Sequence, residues 1–209
     1  MTPPRLSPGD ADALLFDLGR VVLDIDFGKA FARWAGQAGC EQAYIAGRFV
    51  VDESLRRYET GKIGDAVYFD GLRKALGVDL SHAQLVEGWN AIFLGEIPGI
   101  APLLARAAKR LPLYALSNTN PPHIAYFSQA YADVLSHFRE LYLSSTIGLL
   151  KPDAATYDHV VEAIGVPASR IVFFDDLIEN IDGARACGLK AVHVKSSGDV
   201  ADALTALGL

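Results

Sequence analysis

The sequence predicts a doubly wound parallel α/β core with a helical cap inserted after its first strand. Three observations carry this expectation: five short apolar runs, amphipathic segments between them, and a helix-patterned stretch lacking a convincing pair of strands. The runs fall at residues 13–16, 113–116, 140–143, 171–174 and 191–194. Short, nearly continuous apolar runs alternating with helical patterns mark a parallel sheet buried on both faces.

The elements follow in order. After the first run, residues 27–94 carry several helical patterns, punctuated by Gly61, Gly64, Gly77 and Gly88. Within them Ser81 and Gln84 fit a capping box, with Leu85, Trp89 and Ile92 as the apolar stripe behind it. Further on, residues 155–164 show the helical period, with Tyr157, Val160, Val161 and Ile164 on one face before Gly165 ends it. Residues 178–187, closed by Gly188, read the same way. The expected organisation is a core formed by residues 10–26 and 95–209, with residues 27–94 as the cap. No internal repeat is visible.

Bulk properties bound the function. Of 209 residues, 51% are hydrophobic and 21% charged without blocks, which supplies a core and argues against disorder. A net charge of −6 gives no electrostatic footprint for DNA or RNA. Cys40 and Cys187 stand far apart in no metal-type spacing, as expected of reduced thiols. Residues 1–10 are Pro-rich and polar, unlike a signal peptide, and no run is long enough to span a membrane. A soluble cytoplasmic protein is the expectation, with no membrane or nucleic-acid partner. Nothing in the sequence indicates an oligomeric state.

In open parallel sheets, ligands bind beyond the carboxyl ends of the strands. Asp17 follows the first run, Ser117 and Asn118 the second, and Asp175 and Asp176 the fourth, while Lys151 precedes Pro152 before a helix. Taken singly, each has a structural explanation: a turn aspartate, a capping pair, a solvated lysine. Together they place an acid cluster, a hydroxyl–amide pair and a lysine on one rim, the makeup of a metal-assisted phosphate site.

These residues resemble the four motifs of the haloacid dehalogenase-like hydrolase superfamily. The matching segments are Phe16-Asp17-Leu18-Gly19-Arg20-Val21-Val22, Leu116-Ser117-Asn118, Lys151-Pro152, and Phe173-Phe174-Asp175-Asp176 with Asn180, Gly183 and Ala184. The resemblance implies a phosphatase acting on a small phosphorylated metabolite. Asp17 would be the nucleophile, forming an aspartyl-phosphate. Asp17, the Gly19 carbonyl and Asp176 would bind Mg²⁺, with Asp175 behind them in the second shell. Ser117 and the Asn118 amide would hold phosphoryl oxygens, Lys151 would offset their charge, and Asn180 would brace the acidic loop.

One position departs from the pattern. Most phosphatases of the superfamily carry a second Asp two residues after the nucleophile, as proton donor to the leaving group; here that position is Gly19. A missing general acid forfeits about 10²–10⁴-fold in rate. The run from Phe16 through Asp24-Ile25-Asp26-Phe27 resembles the bacterial α-D-glucose-1-phosphate phosphatase branch, which also carries Gly there and implies a substrate that leaves readily, such as an anomeric sugar phosphate or an acyl phosphate. Two alternatives stay open: a metal-independent 2-haloacid dehalogenase, and a degenerate member that binds a phosphometabolite or a protein without turnover. Asp24 and Asp26 could supply the proton, although hinge or turn roles suit them better.

In the family the cap covers the site and selects the substrate. Arg56, Arg57, Tyr58 and Glu59 are the candidates to reach inward. Trp34 and Trp89 are expected in the cap's core, His82 and His123 at the surface, and His193 in a structural role.

Overall fold

The computed structural model describes residues 6–209; of the polar Pro-rich start, residues 1–5 lie outside the described residues. Among the described residues the first element is strand β1 (Ala13–Phe16), followed by β2 (Leu23–Ile25) and helices α1 (Phe27–Ala38), α2 (Gln42–Ala46), α3 (Glu53–Glu59), α4 (Asp65–Leu76) and α5 (His82–Asn90). The chain returns through β3 (Phe93–Glu96) and α6 (Ile100–Ala107) to β4 (Leu113–Ser117), α7 (Pro121–Ala130), α8 (Ala132–Leu135) and β5 (Glu140–Leu143). Helices α9 (Ser144–Ile147) and α10 (Ala154–Ile164), β6 (Ile171–Asp175), α11 (Ile178–Ala186), β7 (Lys190–His193) and α12 (Ser197–Ala206) complete it.

Strands β5-β4-β1-β6-β7 form a fully parallel sheet in that order. The chain winds outward from β1 on one side to β5, then crosses back to β6 and winds out to β7. The direction therefore switches at β1, where such sheets open a crevice beyond their carboxyl ends. Both faces of the sheet are buried, because alternate side chains enter different cores. Leu14 and Phe16 join one apolar cluster with Val172 and Phe174, while Ala13 and Leu15 join another with Ile171 and Phe173. Phe16 stacks on Phe174 at 4.5 Å between ring centroids.

Helices α1–α5 pack around their own apolar cluster. Trp34 and Trp89 lie stacked at 5.9 Å in its middle, and the Trp34 indole N–H donates to Leu85 O at 3.0 Å. Their approach depends on Gly88, where a Cβ would meet Trp34 Nε1 at 2.1 Å. The capping box at Ser81 is present, with Ser81 Oγ accepting from Gln84 N–H and Gln84 Oε1 from Ser81 N–H. Asp26 caps α1 by accepting from Gly28 N–H at 2.7 Å.

The expected helical run through residue 94 ends early. Helix α5 stops at Asn90, and β3 pairs antiparallel with β2, forming a short ribbon where the helices leave the core. Sequence reading missed it because β3 is short and carries Gly95, and its exposed Leu94 weakens the inside–outside alternation. Among the described residues, no helix is long and apolar enough to cross a membrane.

Candidate active site

Asp17 leaves the end of β1 with its N–H donating to Phe174 O at 2.8 Å, which ties the loop to the neighbouring strand. The chain then turns sharply: Leu18 O accepts from the N–H groups of both Val22 and Leu23, and Arg20 takes a positive φ of 58°. Ser117 ends β4, Asp175 ends β6, and Asp176 follows it. Lys151 comes from the loop before α10. The Asn118 side chain clamps it there, donating to Lys151 O and accepting from Lys151 N–H, each at 2.9 Å. The clamp uses the oxygen and one of the two N–H donors of that side-chain amide.

The electrostatics centre on one buried lysine and three carboxylates. Lys151 Nζ lies 2.8 Å from Asp17 Oδ1 and 2.6 Å from Asp175 Oδ2, with its side chain 1% exposed. Burial alone would favour the neutral amine, but the two carboxylates overcome it and hold the Lys151 pKa above the ordinary value. Asp175 is fully buried and accepts from Leu177 N–H at 2.8 Å, while Asn180 Nδ2 donates to both of its oxygens at 3.0 and 3.1 Å. Asn180 thus braces the acidic loop, and Asp175 orients the lysine. Asp176 is more open and lies 3.9 Å from Arg20.

An oxygen from each of Asp17, Asp175 and Asp176 lies within 4.8 Å of the others. Burial, then the charges of Asp175 and Asp176, push the Asp17 carboxyl up to about 7 against the pull of Lys151. Burial and Asp175 likewise raise Asp176. Three acids facing one lysine carry surplus negative charge, and oxygen donors of this kind suit a hard divalent cation. The donor set therefore fits Mg²⁺. Both oxygens of Asp175 are already hydrogen-bonded, whereas Asp17 Oδ2 and the Asp176 carboxylate accept from no other residue among those described.

Between this rim and the cap lies a cavity of about 260 Å³, with Asp17, Ser117, Lys151 and Asp176 at its floor. Ile25, Phe27, Ile92 and Phe93 form an apolar wall, and Glu59 borders it from the end of α3. Of the four inward candidates only Glu59 lines this cavity. Arg56 instead pairs with Asp153. Arg57 is exposed, and Tyr58 is buried in the cap, its hydroxyl donating to Asp65 Oδ1 at 2.9 Å. A Cβ at Gly19 would meet the tip of the Ile25 side chain, Cδ1, at 2.9 Å.

His123 corrects another expectation. It is buried and stacked on Trp89 at 5.0 Å. Asn120 Nδ2 donates to its Nδ1 at 3.2 Å, and its Nε2 donates to Trp89 O at 3.1 Å. Trp89 Nε1 in turn donates to Asn120 Oδ1 at 3.0 Å, closing a polar knot between α5 and α7. No local signal marks this burial, because the ring that covers His123, Trp89, comes from a helix more than thirty residues away. His82 is exposed, as expected, and His193 donates from Nε2 to Asp176 O at 2.9 Å.

A parallel sheet switching direction at β1, with a buried lysine among carboxylates at its carboxyl rim, defines a class of hydrolases. The profile of the haloacid dehalogenase-like hydrolases matches residues 11–188, and the chain belongs to that family. It is 24% identical to a D-ribitol-5-phosphate phosphatase of Bacteroides thetaiotaomicron over 203 residues, covering 93% of this chain and 97% of the relative. A haloacid dehalogenase-family enzyme from the same organism, solved with magnesium and inorganic phosphate, superposes with a TM-score of 0.79 at 26% identity, covering 89% of this chain and 95% of that one. A drimenol cyclase of Aspergillus calidoustus is 24% identical over 88% of this chain, which spans only 35% of the cyclase's length.

Proposed function

We propose that this hydrolase is a Mg²⁺-dependent phosphatase of small phosphorylated metabolites, working through an aspartyl-phosphate on Asp17. The observation that carries this reading is Asp17 itself: a carboxylate at the end of β1, tied to the buried Lys151 and grouped with Asp176 at the floor of the cavity. Asp17, the Gly19 carbonyl and Asp176 would hold the metal, with Asp175 behind them. Bound there, Mg²⁺ would offset the phosphoryl charge and favour the ionised form of Asp17.

The chain's own residues supply the rest. Lys151 holds one Asp17 oxygen, which leaves the other to attack phosphorus. Ser117 Oγ and the Asn118 main-chain N–H would bind phosphoryl oxygens, and Lys151 would stabilise charge as the leaving oxygen departs. Cap residues would exclude water from the acyl-phosphate and set the substrate. The relative acting on D-ribitol 5-phosphate, together with the motif resemblance to the glucose-1-phosphate phosphatase branch, favours a sugar-type phosphate. Three carboxylates facing the single buried Lys151 keep surplus negative charge that a further cation would offset, which argues against a metal-free dehalogenase.

Phosphate release from a panel of sugar, nucleotide and acyl phosphates, with Mg²⁺ and with EDTA, tests the reading. Metal-dependent turnover of one class, absent in Asp17→Asn, is the expected result. No release from any member, with Mg²⁺ still bound, would instead favour a binding protein.

A further inference from the structure

Gly19 leaves the site without a general acid at its usual place, and Ile25 fills the space in front of it. On the reading of the site as a phosphatase, we propose that Glu59, reaching down from the cap at the end of α3, protonates the leaving oxygen and then deprotonates the hydrolytic water. Besides Asp17 and Asp176, Glu59 is the one carboxyl bordering the cavity. It also borders a second opening of about 350 Å³ that Asn118 and Lys151 line from the core.

The position is fixed from both sides. Three residues earlier, Arg56 pairs with Asp153 of the core, two residues beyond Lys151. Two residues later, Gly61 presses against the core, at a φ of 67° and with a Cβ position only 2.6 Å from Ser145 O. Glu59 therefore sits between two anchors of cap on core. Its carboxyl takes part in no hydrogen bond or ion pair among the described residues, and burial pushes its pKa up to about 7, the range suited to a group that both gives and takes a proton.

The other titratable groups near the site are committed elsewhere. His123 has both ring nitrogens bonded, Lys151 is held by Asp17 and Asp175, and Asp26 caps α1 at the surface. Asp24 does not line the cavity.

The steps balance. An Asp17 oxygen attacks phosphorus, the bond to the leaving oxygen breaks, and that oxygen takes the electron pair together with the Glu59 proton. A water then attacks the phosphorus of the aspartyl-phosphate and gives its proton to Glu59. The bond to Asp17 breaks, releasing phosphate and restoring both carboxyl groups.

The test compares kcat/KM of the wild type and Glu59→Gln for p-nitrophenyl phosphate, whose leaving group needs no proton, and for a sugar or alkyl phosphate, whose leaving group does. Because kcat/KM reports steps through the first phosphoryl transfer, the loss for the alkyl substrate is expected to exceed that for the aryl one by at least about tenfold. The wild-type alkyl rate should fall as pH rises through about 7 and Glu59 loses its proton, and this limb should be missing in Glu59→Gln. Tyr58 on α3 and Tyr68 on α4 neighbour that group, Asp52, Glu53 and Arg56 share the second opening with it, and Lys151, Asp17, Asp176 and Arg20 line the cavity from the core. Glu59→Asp, which keeps a carboxyl, should recover part of the alkyl rate, and thermal denaturation of both variants checks their folding. An equal loss for both substrates would mark Glu59 as a binding or structural group and overturn the assignment. Failure of the wild type to hydrolyse either substrate would overturn the phosphatase reading itself, and Glu59's role with it.

Discussion

Lys151 shows how far a single residue can be driven by its surroundings. Its stem is buried and its main chain is clamped by Asn118, yet it stays charged because two carboxylates meet its ammonium within 3 Å. Replacing it by Met removes the cation that meets Asp17 and Asp175, leaving only the longer Arg20–Asp176 contact. kcat/KM of Lys151→Met should fall by about 10²–10³-fold, the scale of one lost electrostatic contact to the reacting group; steady-state kinetics, with circular dichroism to confirm folding, check this. His123 makes the complementary case, a base held neutral. Burial lowers its pKa from 6.5 to about 4, so the unfolded chain takes up the proton first as pH falls. Its stabilising contribution is present above pH 6.5 and is lost between there and about 4, by roughly 3 kcal/mol at the lower limit. Asp17 and Glu59, pushed up to about 7, act in the opposite direction, so the His123 effect must be read against a variant. In urea denaturation at pH 7 and pH 5, the wild type should lose stability relative to His123→Phe. Parallel behaviour of the two would contradict the assigned burial. Asp17, Lys151 and Asp176 were legible in the sequence because each follows an apolar run or opens a helix. His123 was not, since its burial is decided by Trp89 stacking on it from a distant helix.

At the scale of elements, the inner strands β1, β4 and β6 are buried and largely apolar on both faces, and that made their runs the clearest. β7 starts and ends one residue earlier than its apolar run, because pairing with β6 rather than hydrophobicity sets its bounds. The β2–β3 ribbon lacked such a signature: it is two strands wide and partly exposed, with an irregular register. Helix α1 fits tightly against α5 at Gly88. A methyl at Gly88 would overlap Trp34, so Gly88→Ala should cost about 1–3 kcal/mol as overpacking of a close-packed site. Urea denaturation followed by tryptophan fluorescence reads this directly, since both tryptophans lie in the affected stack. A change below a few tenths of a kcal/mol would show that α1 and α5 separate freely.

Across the whole molecule, the switch in winding at β1 decides where chemistry can occur. It brings the ends of β1, β4 and β6 to one rim, while the helices inserted after β2 roof that rim and anchor to it at Arg56, Gly61 and Trp89. Fold and rim were readable because the motifs occur in order along most of the chain. The orientation of the Asn118 amide was not, nor which of the four cap candidates would line the cavity, since both depend on how α3 and the Lys151 loop meet in space. The central claim is that Asp17 carries the phosphoryl group during turnover. Acid quenching of the enzyme during hydrolysis of a substrate that it turns over, followed by peptide mass spectrometry, tests this most directly. The account predicts a phosphorylated peptide containing Asp17 that is absent from Asp17→Asn. Phosphate release persisting in Asp17→Asn, or a phosphoryl group on another residue, would contradict it.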